Sequence, residues 1–219
     1  MTTATETGVT TQTYRVYIKA TPQAIWDAIT KPEWTGRYGY RGRAEYDLRP
    51  GGAYSVRAPE SMLAMGAPEV LIRGEVLELD PPRKLVQTWG ALWDPNVIAE
   101  GPRRLTWEIA DAGFGVSALT VTHELEGAPK TAAQVGSSST DLASGAGGWA
   151  WIVSDLKSLL ERGSSLCDCG VSSRCCGRPC RGRGGSGDPP RPAAPRPGPN
   201  APPGSSPPPR PPRSGPGPR

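Results

Sequence analysis

Tryptophan and tyrosine are the residues of this chain with the clearest capacity to bind a ligand. The sequence contains seven tryptophans and six tyrosines beside a single phenylalanine. Both side chains combine a large apolar surface with one polar group, which suits the wall of a pocket for an aromatic molecule. For Trp107 and Trp149, ordinary core packing and a cavity wall remain equally compatible with the pattern. Trp93 falls in a loop, which favours the mouth of such a pocket. The predicted ligand-binding set is Trp34, Tyr38, Tyr46, Trp89, Trp93, Trp107, His123 and Trp149.

His123 is the only histidine and shares strand parity with Leu119, Val121 and Leu125. Its side chain is therefore expected on the helix-facing side of the sheet. One interpretation makes it a proton carrier, or a hydrogen-bond donor to a ligand carbonyl. The other makes it a rim histidine that backbone groups or water satisfy, and we favour this second interpretation.

The sequence lacks the motifs of several enzyme classes. It contains no G-x-S-x-G, no phosphate-binding loop and no dinucleotide fingerprint after a strand. With one histidine and no cysteine before Cys167, a zinc site in the domain is not expected. We therefore predict no catalytic set, no metal and no cofactor.

The elements that position the aromatic residues follow from hydrophobic periodicity. Residues from about 14 to 125 show mostly period-two alternation, which predicts strands, and a change of parity near Val76 indicates a bulge. Thr21 and Pro22 predict the start of a short helix, and a second short helical turn follows Pro32. Residues 58–68 are interpreted as a connecting loop, although Met62, Leu63 and Met65 are unusually apolar for one.

A long amphipathic helix is predicted between Gly147 and Gly163, which together with Arg162 marks its end. Asp155 is assigned to the polar, solvent-facing side of this helix. A long helix after a run of strands needs a sheet to cover, which predicts an α+β domain with about six to seven antiparallel strands curved around it. The predicted inward face comprises Trp149, Ile152, Val153, Leu156, Leu159 and Leu160.

Composition divides the chain into a domain and a tail. All five cysteines lie between Cys167 and Cys180, and 16 of the 26 prolines lie at or after Pro179. Nine arginines and two aspartates follow Leu166, so the tail carries a net charge of +7. Since the whole chain carries +4, the remainder carries −3. The basic balance therefore gives no reason to expect nucleic-acid binding by the domain. We predict a disordered N-terminus over 1–12, a domain over 13–166 and a disordered tail over 167–219.

The tail and the two ends of the chain lead to further expectations. The tail is nearly confined to Arg, Pro, Gly, Ser and Ala, which is also typical of a frame-shifted or spurious extension. Its cysteine spacing lacks the paired knuckles of zinc ribbons, and its P-x-x-P matches are expected by chance in a Pro-rich segment. The polar start of the chain, the lack of a long apolar run and a cysteine-free domain predict a cytoplasmic protein without a membrane span.

Six stretches, in this order, carry a resemblance to a known family. They are ATPQAIWDAITKPEWT, LRPGGAYS, GEVLELDPPRKLVQTW, RLTWEIAD, LTVTHEL and GGWAWIVSDLKSLLE. Over residues 12–166 the chain resembles the START-like (SRPBCC) helix-grip superfamily, in the bacterial branch named after the activator of the heat-shock protein 90 ATPase. The resemblance implies a cavity between the sheet and the long helix that accepts an apolar ligand.

Three functions are compatible with this resemblance. The first is binding of a small hydrophobic molecule, aromatic, lipid-like or polyketide-like, without a cofactor. The second is an enzyme of the polyketide cyclase or dehydrase type that uses the same cavity, with His123 and Tyr38 or Tyr46 positioning the substrate. The third is a co-chaperone-like module that acts on an ATPase through its surface. A protein partner is compatible with the sequence, and the oligomeric state is left open.

Overall fold

One sheet and six helices make up the part of the chain that the structure describes. This structure, a computed structural model, describes residues 11–136, 139–142 and 146–166. Of the predicted N-terminal segment only its last two residues are described, and they belong to the first strand. The predicted tail, with its five cysteines, lies outside the described residues.

The sheet contains seven antiparallel strands, which confirms the predicted α+β architecture. Its spatial order is β1-β7-β6-β5-β4-β3-β2, so the first and second strands form its two edges. Alternating burial in the first strand, from exposed Thr11 to buried Ile18, follows the predicted parity. The strands are β1 (Thr11–Ile18), β2 (Arg43–Tyr46), β3 (Ala53–Arg57), β4 (Val70–Asp80), β5 (Lys84–Ala91), β6 (Arg103–Gly113) and β7 (Val116–Glu124).

The predicted bulge lies within β4. The pairing of β4 with β5 shifts register between Val76 and Glu78. Val76 is fully buried, whereas Leu79, three residues later, packs against the core from the opposite parity. One extra residue exchanges the two faces of a strand, so both parts of β4 direct apolar side chains inward.

Two short helices follow the first strand, and the longest helix comes last, as predicted. The hydroxyl of Thr21 caps the first helix by accepting a hydrogen bond from the backbone of Ala24 at 3.2 Å. Gly163 adopts φ +75° and ends the last helix by donating to the carbonyl of Leu159. The helices are α1 (Pro22–Thr30), α2 (Pro32–Thr35), α3 (Glu60–Leu63), α4 (Pro95–Ile98), α5 (Pro129–Val135) and α6 (Gly148–Arg162).

Helix α6 buries the face that the sequence predicts and part of the opposite face as well. Trp149, Val153, Leu156 and Leu159 are all buried. The assignment of Asp155 to solvent was wrong, because its side chain is fully buried. Its carboxylate accepts hydrogen bonds from the backbone of Gly39 at 2.8 Å and from the residues that follow the helix. A helical wheel does not show that these neighbouring segments cover the helix flank.

Neither a membrane helix nor a metal cluster occurs in the described part of the chain. Within it, no helix is both long enough and apolar enough to cross a membrane. Over residues 11–136, 139–142 and 146–166, no group of three or more His, Cys, Asp or Glu side chains is placed to hold a metal ion.

Candidate ligand-binding cavity

A cavity of about 790 Å³ lies between the sheet, α6 and the connections around them. Its size falls within the range typical of small-molecule sites. None of the described residues that line it is charged. Eight of the lining residues are aromatic, and they are Tyr38, Tyr40, Tyr46, Tyr54, Trp89, Trp93, Trp107 and Trp149.

Four tryptophans form a connected cluster in the wall of this cavity. The ring of Trp149 on α6 meets Trp107 on β6 edge to face, with centroids 5.4 Å apart. Trp89 on β5 lies 6.4 Å from Trp149, and Trp93 meets Trp89 edge to face at 5.8 Å. Trp89, Trp107 and Trp149 are 4 to 6% exposed, so each is at once a core residue and a wall residue. Core and cavity wall are therefore not alternatives for Trp107 and Trp149.

Strand parity places Trp89, Trp107, Tyr46 and Tyr54 on the inner face of the sheet. Trp107 pairs directly with Leu85, which is buried, and so the two side chains share a face. Tyr46 on β2 lies directly opposite Tyr54 on β3. Their rings stack with centroids 4.5 Å apart and an interplanar angle of 25°. Directly opposite positions on adjacent strands bring ring pairs into contact, as here.

The cavity reaches the surface near Trp93 and Met65. Both side chains line it, yet Trp93 is 40% exposed and Met65 is 70% exposed. The indole N–H of Trp93 donates to Gln134 Oε1 at 3.0 Å, and Gln134 in turn donates to Asp94 at 3.0 Å. These bonds join the loop after β5 to α5, so the loop and the helix form one side of the mouth.

Glu100 fixes α5 at this position. Its carboxylate accepts hydrogen bonds from the backbone of Lys130 and of Thr131, both at 2.8 Å, and from the Thr131 hydroxyl at 2.6 Å. These donors stand in the first turn of α5, where backbone N–H groups have no partner within the helix. Glu100, which follows α4, thus fixes the position of α5. Gln134 and Val135 of α5 line the cavity.

Six of the eight predicted site residues line the cavity. His123 and Trp34 do not. Trp34 is half-buried, and the guanidinium of Arg37 lies 4.8 Å above its ring. The six residues that the structure brings together are Tyr38, Tyr46, Trp89, Trp93, Trp107 and Trp149.

His123 lies beneath the wall rather than at a rim. It is fully buried, so the rim interpretation was wrong. Its Nδ1 accepts a hydrogen bond from the indole of Trp149 at 3.2 Å, and the ring of Trp89 lies edge-on at 5.2 Å. Burial, together with the smaller effect of the nearby positive charge of Arg103, lowers the pKa of His123 to about 4. The imidazole is therefore neutral at pH 7 and supports the orientation of Trp149.

Sequence reasoning missed several lining residues, above all those of α3. Met62, Met65 and Ala67 line the cavity from a segment that we interpreted as a loop. The apolar excess in residues 58–68 was the available signal, since a solvated connection does not need two methionines. Tyr40 and Tyr54 were also missed, and Tyr54 had a signal in its inward parity with Val56.

Two hydroxyl groups of the wall donate to backbone carbonyl groups of the protein. Tyr38 donates to the carbonyl of Ala28 at 3.2 Å, and Tyr40 donates to that of Ala146 at 3.1 Å. Burial raises the pKa of Tyr38, raises the pKa of Tyr46 well above its usual value and raises that of Tyr54 to about 12. These three phenols stay protonated at every ordinary pH, so the wall is neutral.

The sequence model of one protein family covers most of this domain. The family is described as Activator of Hsp90 ATPase homolog 1-like protein, and the match extends over residues 19–161, well over half of the chain. The chain belongs to this family. Its fold is accordingly the START-like helix-grip fold that the resemblance predicted. No curated protein matches the sequence.

Solved structures share the fold at low sequence identity. EF2215 from Enterococcus faecalis, a protein of unknown function, is 15% identical, with coverage of 71% of this chain and 73% of that chain and a TM-score of 0.50. The Aha1 dimer from Colwellia psychrerythraea is 15% identical, with coverages of 70% and 97% and a TM-score of 0.45. CalU16 from Micromonospora echinospora is 20% identical, with coverages of 52% and 59% and a TM-score of 0.38. The chain therefore spans little more than half of the CalU16 chain. At these identities the likeness concerns the fold alone, while family membership together with the cavity supports a ligand-binding domain.

Proposed function

We propose that this domain binds a small hydrophobic molecule with an aromatic part in the cavity between the sheet and α6. The observation that carries the proposal is a space of about 790 Å³ walled by four tryptophans and four tyrosines. Protein interiors are otherwise closely packed, with few voids larger than a water molecule. A space of this size that opens at Trp93 and Met65 is therefore best explained by an occupant.

The aromatic wall favours a planar ligand. Rings that meet edge to face, as Trp107 and Trp149 do, leave ring faces and edges available for a further aromatic partner. Met62 and Met65 add flexible, polarisable side chains at the outer end. Such side chains adapt to ligands of different outline. Lipid-like and polyketide-like molecules thus remain within the proposed class.

The two other functions receive less support from the site. A cyclase or dehydrase that uses His123 would need the imidazole at the cavity wall. The imidazole of His123 instead accepts a hydrogen bond from Trp149 and does not line the cavity. Trp149 is not titratable, so the pair offers no acid and base. A module that acts through its surface alone would gain nothing from an unfilled interior, because voids cost stability.

Intrinsic tryptophan fluorescence tests the proposal directly. Titration of the chain with flavone, a neutral planar probe, is expected to change the emission saturably, because the tryptophan cluster forms the wall. Trp107→Leu should weaken the affinity about tenfold through loss of ring contact. Trp34→Leu is the matched control, since Trp34 is half-buried but lies outside the wall, and its affinity should stay within about twofold.

Two results would contradict the proposal. The first is an absence of saturable binding to the wild-type chain for flavone and for a medium-chain fatty alcohol alike. The second is an equal loss of affinity in Trp107→Leu and Trp34→Leu, which would place the probe outside the cavity.

We also propose a cytoplasmic location. The support is the absence of cysteine before Cys167, since small secreted domains commonly rely on disulfides. Fractionation of host cells that express the untagged chain would test this, and recovery in an extracellular fraction would contradict it.

A further inference from the structure

Tyr46 and Tyr54, which line the cavity, form a polar cluster with Gln87, here called the tyrosine pole. Tyr46 donates its hydroxyl to Gln87 Oε1 at 3.0 Å. The hydroxyl of Tyr54 interacts with the side chains of both Gln87 and Tyr46. Burial raises the pKa of Tyr54, and these two interactions offset part of that increase. Gln87 on β5 is fully buried. The pole therefore places several hydrogen-bonding groups at one point of an apolar wall.

The tyrosine pole has more hydrogen-bonding capacity than the protein uses. The Nε2 group of Gln87 is buried without a hydrogen-bond partner. A buried polar group without a partner destabilises a protein, and such groups are rare in native structures. Elsewhere in the wall, Tyr38, Tyr40 and Trp93 donate their protons to carbonyl or amide oxygens of the protein. Tyr54 differs from them, because among the described residues its hydroxyl interacts with the side chains of Tyr46 and Gln87 and donates to no backbone carbonyl.

The wall provides no charge to accompany a charged ligand. No described lining residue is acidic, basic or histidine. Tyr46 and Tyr54 carry raised pKa values and so contribute no phenolate at ordinary pH. Moving a carboxylate or an ammonium group from water into such a space carries a large desolvation cost with no partner to offset it.

We propose that the cavity selects neutral aromatic molecules that carry a carbonyl oxygen, which accepts a hydrogen bond from Tyr54 at the tyrosine pole, and that it rejects the corresponding carboxylates. This inference rests on the proposed function and names the chemical class of the ligand. The aromatic body lies against the tryptophan cluster, and the carbonyl oxygen completes the pole.

Three probes that share one ring system test the selection. They are naphthalene, 2-acetylnaphthalene and 2-naphthoate, titrated against the full chain with tryptophan emission as the readout. The wild-type chain should bind the ketone at least tenfold more tightly than the carboxylate. Tyr54→Phe should weaken binding of the ketone about fivefold relative to binding of naphthalene, the equivalent of one hydrogen bond.

Tyr38→Phe is the matched control, because Tyr38 also lines the cavity but donates its proton to Ala28. The ratio of ketone to naphthalene affinity should be the same in Tyr38→Phe as in the wild type. The inference is overturned if Tyr54→Phe leaves this ratio unchanged, or if 2-naphthoate binds as tightly as the ketone. If naphthalene still binds, either result contradicts the selection for a carbonyl group but leaves the proposed function intact. Loss of binding for all three probes on the wild-type chain removes the proposed function as well.

Discussion

Asp155 is a single residue that ties together three separate parts of the chain. Its carboxylate accepts hydrogen bonds from the backbone of Gly39, from the hydroxyl of Ser165 and from the backbone of Leu166. Gly39 lines the cavity, and Ser165 follows α6. Asp155 therefore connects the cavity wall to the last described residues.

Asp155→Ala should lower the free energy of unfolding by about 3 kcal/mol. Its loss leaves the donors of Gly39, Ser165 and Leu166, of which Ser165 is buried, without this acceptor, and hydrogen bonds to charged groups are among the stronger ones. Urea denaturation with a constant m-value would measure the change. Ser154→Ala, on the exposed neighbour, is the control and should stay within about 0.5 kcal/mol. Similar values for both variants would mean that the buried carboxylate adds no net stability.

His123 should make stability depend on pH in the acidic range. Burial lowers the pKa of His123 in the folded state to about 4, against 6.5 for the free side chain. Between pH 4 and pH 6.5, His123 therefore binds a proton in the unfolded chain but not in the folded chain. Stability is therefore retained above pH 6.5 and lost as the pH falls toward 4, by up to about 3 kcal/mol. Thermal unfolding of the wild type between pH 7 and pH 4 measures this loss together with that of all other acidic groups.

His123→Gln isolates the contribution of the imidazole. Glutamine is of similar size and still offers an acceptor to the indole N–H of Trp149, but it does not titrate. The difference in stability between wild type and variant should shift by up to about 3 kcal/mol in favour of the variant as the pH falls from 6.5 to 4. A difference that stays constant over this range would show that His123 has an ordinary pKa.

Strand parity predicted which side chains face inward, but not how deep they lie. Trp107 and His123 were both placed on the inner face, and both are there. Parity alone could not show that Trp149 covers His123 and separates it from the cavity, because that depends on where α6 crosses the sheet. The burial of Asp155 was missed for a related reason, since its cover comes from Gly39, 116 residues away in sequence.

At the scale of secondary structure, the turn between β6 and β7 departs from common hairpin sequences. Gly113 pairs with Val116, so Phe114 and Gly115 form a two-residue loop with φ values of 56° and 73°. Both positions of such a turn require positive φ, which Asn-Gly adopts best and Phe adopts at a cost of about 1 to 2 kcal/mol. Phe114 is also fully exposed, so packing does not offset this cost.

Phe114→Asn should therefore stabilise the domain by about 1 kcal/mol. Asparagine tolerates the left-handed region and exposes no apolar surface. Thermal unfolding should show an increase of about 3 °C in Tm. Phe114→Ala separates the two effects, because it removes the exposed ring while the strained backbone remains, and its Tm should stay within about 1 °C of the wild type. A lower Tm for Phe114→Asn would show that the ring makes stabilising contacts.

The long and periodic elements could be predicted from the sequence, whereas α3 and α4 near the cavity mouth could not. Alternation in β6 and β7 and the apolar face of α6 arise from many residues that repeat one pattern. Helices α3 and α4 have four residues each, too few for a period to be visible. Helix α5 is held from outside by Glu100, a contact between segments that local sequence does not encode. The mouth was therefore the least predictable part of the site.

On the scale of the whole molecule, Asp155 contacts the last residues of the proposed domain. We propose that the domain ends at residue 166, since the segment 167–219 offers almost no apolar surface to bury. The contacts of Asp155 with Ser165 and Leu166 make these two residues part of the folded domain. The boundary can thus be tested with two chains that differ by two residues.

A chain shortened to residues 1–166 should keep its Tm within about 2 °C of the full chain, because the composition of the removed segment offers little apolar surface to bury. A chain shortened to residues 1–164 loses the hydrogen bonds that Ser165 and Leu166 donate to Asp155, and its Tm should fall by about 5 °C more. Asp155→Ala in the 1–166 chain should lower the Tm at least as much, since it also removes the acceptor for Gly39. A 1–166 chain as unstable as the 1–164 chain would place the end of the domain beyond residue 166.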